Sequence, residues 1–397
     1  MISVKEAKEL VWAHTKVQDA AWMNLYDATG LVLAEDIFST IDMPSFHQSA
    51  MDGYGVRFED LMANKHIQII GEIPAGKSAT YELKANTAVR IFTGAQIPFG
   101  CDTVIMQEKA LVENGYLLVN DPLAVKGLNI RLQGSQIKKG ILAMKAGSII
   151  SPGAAGYLAA LGLNSVKVFC KPKVCIINTG KELIKAGSEL TDGMVYESNS
   201  YSLNGVLVEM HLTAEDILMV DDDEALITEA ITQKLNTCDV IILSGGVSVG
   251  DYDFVAKAIG NCGVQEVFHR VKQKPGKPIY FGVLNNKLVF GLPGNPGAAL
   301  TCFYEYIAPS LKRMMGIELQ NTALKLPLTL GYQKKPGLTF LLKGIASINS
   351  VIPLPAQESY LMSSFSKANC IIVLEEETTD YNAGDLVEVH LLNGGYG

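Results

Sequence analysis

The sequence predicts a multidomain α/β plus β protein: a parallel-sheet α/β domain, a β-rich domain, a helical linking region and a small C-terminal β domain. Three observations predict it. From Lys173 to about 318, apolar strands alternate with amphipathic helices, the pattern of a parallel sheet covered on both faces. From about 31 to 147 the chain breaks into short β-rich runs punctuated by Gly, Pro, Asn and Asp, as strands and turns require. Beyond about 320 it is strand-like again. At 397 residues the chain exceeds one ordinary core, because single cores stop growing well below this size. The expected division is 1–30 with 147–172 as the helical linking domain, 31–146 as the β-rich domain, 173–318 as the α/β domain and 319–397 as the C-terminal β domain.

In chain order, Val4 to about His14 has helical periodicity behind a Ser3 N-cap, with Ala7, Leu10, Val11 and His14 on one face. Runs such as His66-Ile67-Gln68-Ile69-Ile70 and Thr103-Val104-Ile105-Met106 supply strands of the β-rich domain. Ser151-Pro152 then opens a small-residue helix through Leu161, with serine as cap and proline in the first turn. In the α/β stretch, strands at 174–177, 216–220, 240–243 and 288–290 alternate with helices near 203–210, 224–235, 254–259 and 297–314. The chain closes on a strand-like segment, 383–391.

A composition 48% hydrophobic and 19% charged is that of a folded protein. With a net charge of −8, non-specific nucleic-acid binding is disfavoured, since it depends on Lys and Arg neutralising phosphates. Any bound anion must be gripped locally. The start lacks the basic-then-apolar layout of a secretory signal, and no apolar run approaches the ~20 residues that cross a bilayer. The expectation is a cytoplasmic protein with no nucleic-acid and no membrane partner. Seven scattered cysteines without a C-x-x-C pair fit reduced core thiols better than disulfides or zinc.

Chemistry concentrates in loops that follow apolar strands, where ligands of parallel sheets bind. Asn178-Thr179-Gly180-Lys181-Glu182-Leu183 is either a tight turn capped by Thr179 or a device that puts the Glu182 carboxylate at the strand end. Ser244-Gly245-Gly246-Val247-Ser248-Val249-Gly250-Asp251-Tyr252-Asp253 runs into a helix, and its paired glycines allow close backbone approach to an anion. It matches neither a Walker motif nor a dinucleotide fingerprint. Asp253 is a helix cap or a Mg²⁺ ligand. Lys272-Gln273-Lys274-Pro275-Gly276-Lys277-Pro278 is a solvated loop or an anion grip stiffened by proline. Gly291-Leu292-Pro293-Gly294-Asn295-Pro296-Gly297 is rigid and opens a helix, with Asn295 as N-cap and Pro296 at the first position. In the β-rich domain, Met51-Asp52-Gly53-Tyr54 and Phe92-Thr93-Gly94-Ala95 have strand–loop–strand character.

These runs, with Thr179-Gly180, Glu182-Leu183 and Lys274-Pro275-Gly276-Lys277-Pro278, stand in the order found in molybdopterin molybdenumtransferases. The chain resembles that family, which includes the bacterial MoeA proteins and the E domain of gephyrin, over essentially its whole length. The resemblance implies an elongated homodimer of four-domain subunits with a molybdopterin-binding α/β domain and a β-barrel-like C-terminal domain. The site would lie between the α/β domain of one subunit and the β-rich domain of the other. The implied reaction takes adenylated molybdopterin, Mg²⁺ and molybdate, with tungstate as a substitute, releases AMP and forms molybdenum cofactor. An upstream molybdopterin adenylyltransferase and a downstream molybdoenzyme or cofactor carrier are the implied partners. On this resemblance Asp52, Thr93, Glu182, Asp253, Lys274 and Lys277 are the catalytic candidates. Glu182, Asp253 and Asp52 are the metal-holding acids. Ser198, Asn199, Gly245, Gly246, Ser248, Pro293, Asn295, Pro296, Arg131 and Ser359 are the cofactor-binding set.

Four departures stand against the family pattern. Lys181 replaces an acid in Thr-Gly-Asp-Glu, and Gln136 stands where an acid is usual, although Arg131 remains upstream. Gln357-Glu358-Ser359 replaces Gln-Gly-Ser, and Pro336-Gly337-Leu338 lacks the usual Arg after Gly. Two alternatives stay open: a molybdopterin adenylyltransferase-like enzyme, whose single α/β domain has the same style of Gly-rich loop, and a catalytically weakened scaffold of the gephyrin E-domain type, for which Lys181 and Gln136 leave room.

Overall fold

The computed structural model describes residues 1–63, 66–246, 254–318 and 323–392. It divides into two compact units, one of residues 1–22, 30–34 and 167–397, the other of residues 23–29 and 35–166.

The larger unit is built on a six-stranded sheet in the order Ala214–Val220, Val174–Thr179, Val240–Ser244, Lys287–Leu292, Tyr280–Leu284, Gln265–His269. The first four strands run parallel and the last two are antiparallel additions. Val174–Thr179 and Val240–Ser244 are buried at every position, which is why they spell apolar runs instead of alternating ones. Successive side chains still part to opposite faces. Val174, Ile176, Val240 and Ile242 pack with Leu203 and Leu207 of helix Asn199–Glu209. Cys175, Ile177, Ile241 and Leu243 pack with Ile227 and Ile231 of helix Glu224–Leu235 and Val255 and Ile259 of helix Phe254–Asn261. Asp223 accepts from the backbone N–H groups of Ala225 and Leu226 and so starts its helix.

Helix Val4–His14 starts on Ser3, whose hydroxyl accepts from Glu6 N, and buries Val4, Ala7 and Val11. His14, expected on that face, sets its ring edge-on to the buried Phe281 of the same core although it is itself exposed, and bonds the Leu10 carbonyl. The single helix expected over 297–314 is α-helical over Pro296–Cys302 and Ala308–Met314, with a π turn, Phe303–Ile307, between them. The wide turn carries Glu305, a carboxylate with 1% of its side chain exposed. It meets Lys8 Nζ of the first helix at 2.5 Å and His390 Nδ1 of the last strand at 2.9 Å, while His390 Nε2 meets Glu388 at 2.8 Å. Burial pushes the Glu305 pKa up, but the charges of His390 and Lys8 outweigh it and hold the acid well below the usual carboxylate range.

The C-terminal sheet is ordered Gln273–Lys274, Thr339–Ala346, Cys370–Leu374, Leu386–Leu391, Leu324–Pro327, with Val351–Pro353 also paired to Thr339–Ala346. Its core includes Leu326, Leu342, Ile372, Leu374, Val387 and Val389. Its first strand comes from the lysine loop, some fifty residues before the expected C-terminal β domain begins.

The smaller unit carries a six-stranded sheet, Thr103–Met106, Gly53–Val56, Thr87–Ile91, Ile67–Ile73, Tyr116–Val119, Ala110–Glu113. Cores lie on its two faces, around Val89, Ile91 and Val104 and around Val56, Ala88 and Ile105. Helix Pro152–Ala160 has Pro152 in its first turn and Ser151 accepting from Ala154 N at 3.1 Å. Among the described residues no helix is long and apolar enough to cross a membrane.

Candidate functional site

From the central strand Val174–Thr179 the chain crosses to Ala214–Val220 on one side and returns to Val240–Ser244 on the other. That reversal leaves a crevice at the carboxyl ends of Val174–Thr179 and Val240–Ser244, the place where open parallel sheets bind ligands. Polar side chains collect there without partners. The amide nitrogen and oxygen of Asn178, Thr179 Oγ1, Asn199 Oδ1 and Asp222 Oδ1 are buried and make no hydrogen bond. Each such atom costs ~1–3 kcal/mol, a cost that a ligand or water hydrogen-bonded there would relieve. Thr179 is therefore not the turn cap the sequence suggested.

The glycine pair closes the same crevice. Gly245 adopts φ +96°, and a Cβ there would stand 2.1 Å from the Thr179 carbonyl oxygen; Gly246, at φ +63°, would meet Val255 at 2.6 Å. No other residue fits this path. Asn199 bridges from the facing helix, its Nδ2 donating to Ser244 Oγ at 2.7 Å and to the Gly294 carbonyl at 2.9 Å. Ser198 stands at the N-cap of that helix without a side-chain cap bond; the buried Glu197 does the capping, accepting from Ser200 N at 2.7 Å. Beside them opens a cleft of about 500 Å³ lined by residues including Asn178, Lys185, Glu197, Tyr201 and Asn204. Glu182 is exposed on the turn after Thr179, its carboxylate lying back over Gly180.

The lysine loop is held from below. Gln273 is fully buried, and its Nε2 donates to the carbonyls of Pro275 and Gly276 at 3.1 and 3.2 Å, while Tyr306 donates to its Oε1. Gly276 is at φ +85°, and a Cβ would meet Cys302 Sγ at 2.4 Å. Lys274 and Lys277 emerge exposed from this base, Lys274 over the Phe340 ring at 5.2 Å. In the Gly291 loop, Pro293 is buried. Asn295 occupies the N-cap position but makes no side-chain cap bond; its Nδ2 donates to Ser359 Oγ at 2.9 Å. Pro296 begins the helix as expected.

In the smaller unit, antiparallel pairing of Gly53 with Ile91 sets Asp52 beside Thr93. Thr93 N and Oγ1 both donate to Asp52 Oδ1 at 2.7 Å. These two bonds, backbone first, with Arg90 nearby, lower the Asp52 pKa. Arg131 lines a separate cleft of about 360 Å³ with Asp42 and Gln136.

The structure thus gathers Ser198, Asn199, Gly245, Gly246 and the Gly291 loop at one crevice, and Asn295 with Ser359. Asp52 with Thr93 and Arg131 belong to the other unit. Ser248 and Asp253 lie outside the described residues. Among the described residues no group of three His, Cys, Asp or Glu is gathered as a metal site. Asn178 and Asp222 were missed as site residues; the signal available was their place at strand ends, Asn178 within an apolar strand and Asp222 inside Asp221-Asp222-Asp223 after another.

Three family models cover nearly all of the chain: MoeA N-terminal region (domain I and II) at 2–162, probable molybdopterin binding domain at 175–313, and MoeA C-terminal region (domain IV) at 325–392. A molybdopterin molybdenumtransferase of Haemophilus influenzae is 36% identical over 94% of this chain and 94% of its own. The chain belongs to the molybdopterin molybdenumtransferase (MoeA) family. It is a transferase of molybdenum cofactor biosynthesis. The Staphylococcus epidermidis member is 32% identical over 98% of this chain and 95% of its own. Two structures of a MoeA protein from Pyrococcus horikoshii, each 31% identical, superpose with TM-scores of 0.84 and 0.79 over 100% and 98% of this chain and all of theirs.

Proposed function

We propose that this MoeA-family chain inserts molybdenum from molybdate into adenylated molybdopterin, releasing AMP and forming molybdenum cofactor. The carrying observation is the crevice where Asn178, Thr179, Asn199 and Asp222 hold buried polar atoms without partners beside Gly245 and Gly246. A flat heterocycle edged with donors and acceptors would satisfy them, and the cleft of about 500 Å³ is the right size for one. The side chain–free glycines let the pterin phosphate approach the backbone. Lys274 and Lys277, held on a rigid base, grip the oxyanion and offset charge that develops as the phosphoric anhydride breaks. Pro293, Asn295, Pro296 and Ser359 wall the site and Ser198 flanks the crevice, while Arg131 of the smaller unit is a further candidate anion grip in its own cleft.

Mg²⁺ is the metal whose donor class the candidate acids share: Asp52 of the smaller unit and Glu182 of the larger each offer the hard oxygen it takes, although no three such groups are gathered among the described residues. When bound it supplies Lewis-acid neutralisation of phosphate charge. Asp52 itself, fixed by Thr93, stays anionic at neutral pH and orients what it touches. The protein works as a homodimer in the cytoplasm, between the adenylyltransferase that makes its substrate and a molybdoenzyme or carrier that takes its product. The four domains first expected, 1–30 with 147–172, 31–146, 173–318 and 319–397, remain part of the proposal.

The test is AMP release from adenylated molybdopterin with Mg²⁺, with molybdate, tungstate or neither, for wild type, Asp52→Ala and Lys277→Ala. Oxyanion-dependent release that falls in both variants is expected. Tight pterin binding without release would refute the transfer and leave a scaffold.

A further inference from the structure

Lys343 is buried, 2% exposed, in strand Thr339–Ala346. A buried ammonium is expensive unless its charge and its donors are met, yet its hydrogen bonds go to carbonyls only. Nζ donates to Ala356 O at 2.8 Å, Leu361 O at 3.0 Å and Glu358 O at 3.3 Å. The Phe365 ring lies 5.6 Å away. Its backbone grips the same segment: Lys343 N donates to Gln357 Oε1 at 2.9 Å, and Gln357 Nε2 donates to Lys343 O at 2.8 Å. Ala356 is held at φ +62°, a conformation an L-residue with a Cβ adopts only when its surroundings impose it.

Together with Ser364 Oγ, which also donates to Ala356 O and Leu361 O, this lysine holds the loop that carries Ser359. On its far side the loop touches the Gly291 segment: Ser359 Oγ accepts from Asn295 Nδ2, and Ser359 O accepts from Gly297 N at 2.8 Å. A Cβ at Gly297 would stand 2.8 Å from that carbonyl, so the approach is as close as backbone allows. The other end of the strand reaches the second anion-binding element, because Lys274 pairs in register with Phe340.

We propose that Lys343 is a positioning residue of the transferase: it fixes the 356–361 loop against Asn295 and Gly297 so that Ser359 stands at the oxyanion side of the site. This rests on the function proposed above. A hydrophobic residue of equal length would fill the volume but withdraw the ammonium from three carbonyls, leaving only Ser364 Oγ on Ala356 O and Leu361 O and Leu361 N on Glu358 O, and the loop would loosen. Displacement of a site group by ~1 Å can cost up to ~100-fold.

The experiment compares wild type, Lys343→Met, Lys343→Arg and Ser359→Ala, alone and combined, in the full-length protein. Molybdate dependence of AMP release and amide exchange over 356–361 are both measured. In Lys343→Met, KM for molybdate is expected to rise about tenfold or more, by a larger factor than kcat falls, and loop exchange to quicken. Lys343→Arg should restore most of it. On the Ser359→Ala background the same change should add less than about twofold, because both act through one group. If Lys343→Met does not fold, Lys343→Gln, which keeps amide donors for the carbonyls, decides by the same readouts. Unchanged molybdate dependence, full additivity with Ser359→Ala, or loss of kcat alone overturns the role. Wild type without oxyanion-dependent release overturns the functional reading and this role with it.

Discussion

Replacing His390 with glutamine tests how the C-terminal strand is tied to the first helix and the π turn. Burial disfavours the imidazolium, but Glu305, by charge and hydrogen bond, and Glu388 prevail and raise the His390 pKa from 6.5 to about 9. A histidine whose folded pKa is raised contributes stability that is complete below pH 6.5 and is lost as pH rises through 9. At ~1.4 kcal/mol per pH unit the contribution is roughly 3 kcal/mol, and the site is only 23% exposed, so solvent screening removes little of it. Near pH 6, His390→Gln should therefore lower the melting temperature of the larger unit by roughly 6–12 °C. By pH 10 the difference should shrink to what the lost packing and hydrogen bonds account for. Differential scanning calorimetry of both proteins at half-unit intervals from pH 6 to 10 provides the comparison. A deficit that stays constant across that range would refute the reasoning, since it would mean the imidazole is neutral in the fold throughout.

Asn178→Leu should raise the stability of the ligand-free protein by about 1–2 kcal/mol, because it removes two buried, unpartnered polar atoms, and depress AMP release at least about tenfold; a fall in melting temperature would show that Asn178 serves the fold. Gly245→Ala sets a Cβ 2.1 Å from the Thr179 carbonyl at φ +96° and should cost about 1–3 kcal/mol in stability while abolishing pterin binding, measured by retention of adenylated molybdopterin on gel filtration. Thr93→Val keeps one of the two bonds to Asp52 Oδ1 and loses the other. The Asp52 pKa should rise toward 3.8, moving the acid limb of the pH–rate profile upward, and an unmoved limb would remove Asp52 from the rate-controlling groups.

Local periodicity made much of this fold legible. Runs such as Val174-Cys175-Ile176-Ile177 and Val240-Ile241-Ile242-Leu243 are apolar because both faces are covered, and the helices between them carry one apolar stripe each. Ser3, Ser151 and Asp223 mark helix starts by their own hydrogen bonds. What stayed hidden depends on contacts between distant residues. Asp52 and Thr93 are 41 residues apart and meet only through the register of two antiparallel strands. The π turn at Phe303–Ile307 leaves no mark in helical periodicity, and the burial of Glu305 is explained by Lys8 and His390 from opposite ends of the chain. Asn178 and Asp222 look like ordinary strand-end residues until the sheet order shows that their ends flank the reversal. The glycine and lysine loops stood out because binding residues fall disproportionately on loops that a rigid scaffold positions.

The pairing of Gln273 and Lys274 with Thr339 and Phe340 bears on how such a chain can be recombined. A crossover placed between 318 and 323, where a boundary would be drawn from sequence, separates the lysine loop from the strand that completes it. Chimaeras joined there should keep both cores yet lose the loop's register, whereas grafts that move 271–278 together with the C-terminal sheet should retain it. The transferable segment is discontinuous, its two pieces joined by backbone hydrogen bonds across separately matched domains.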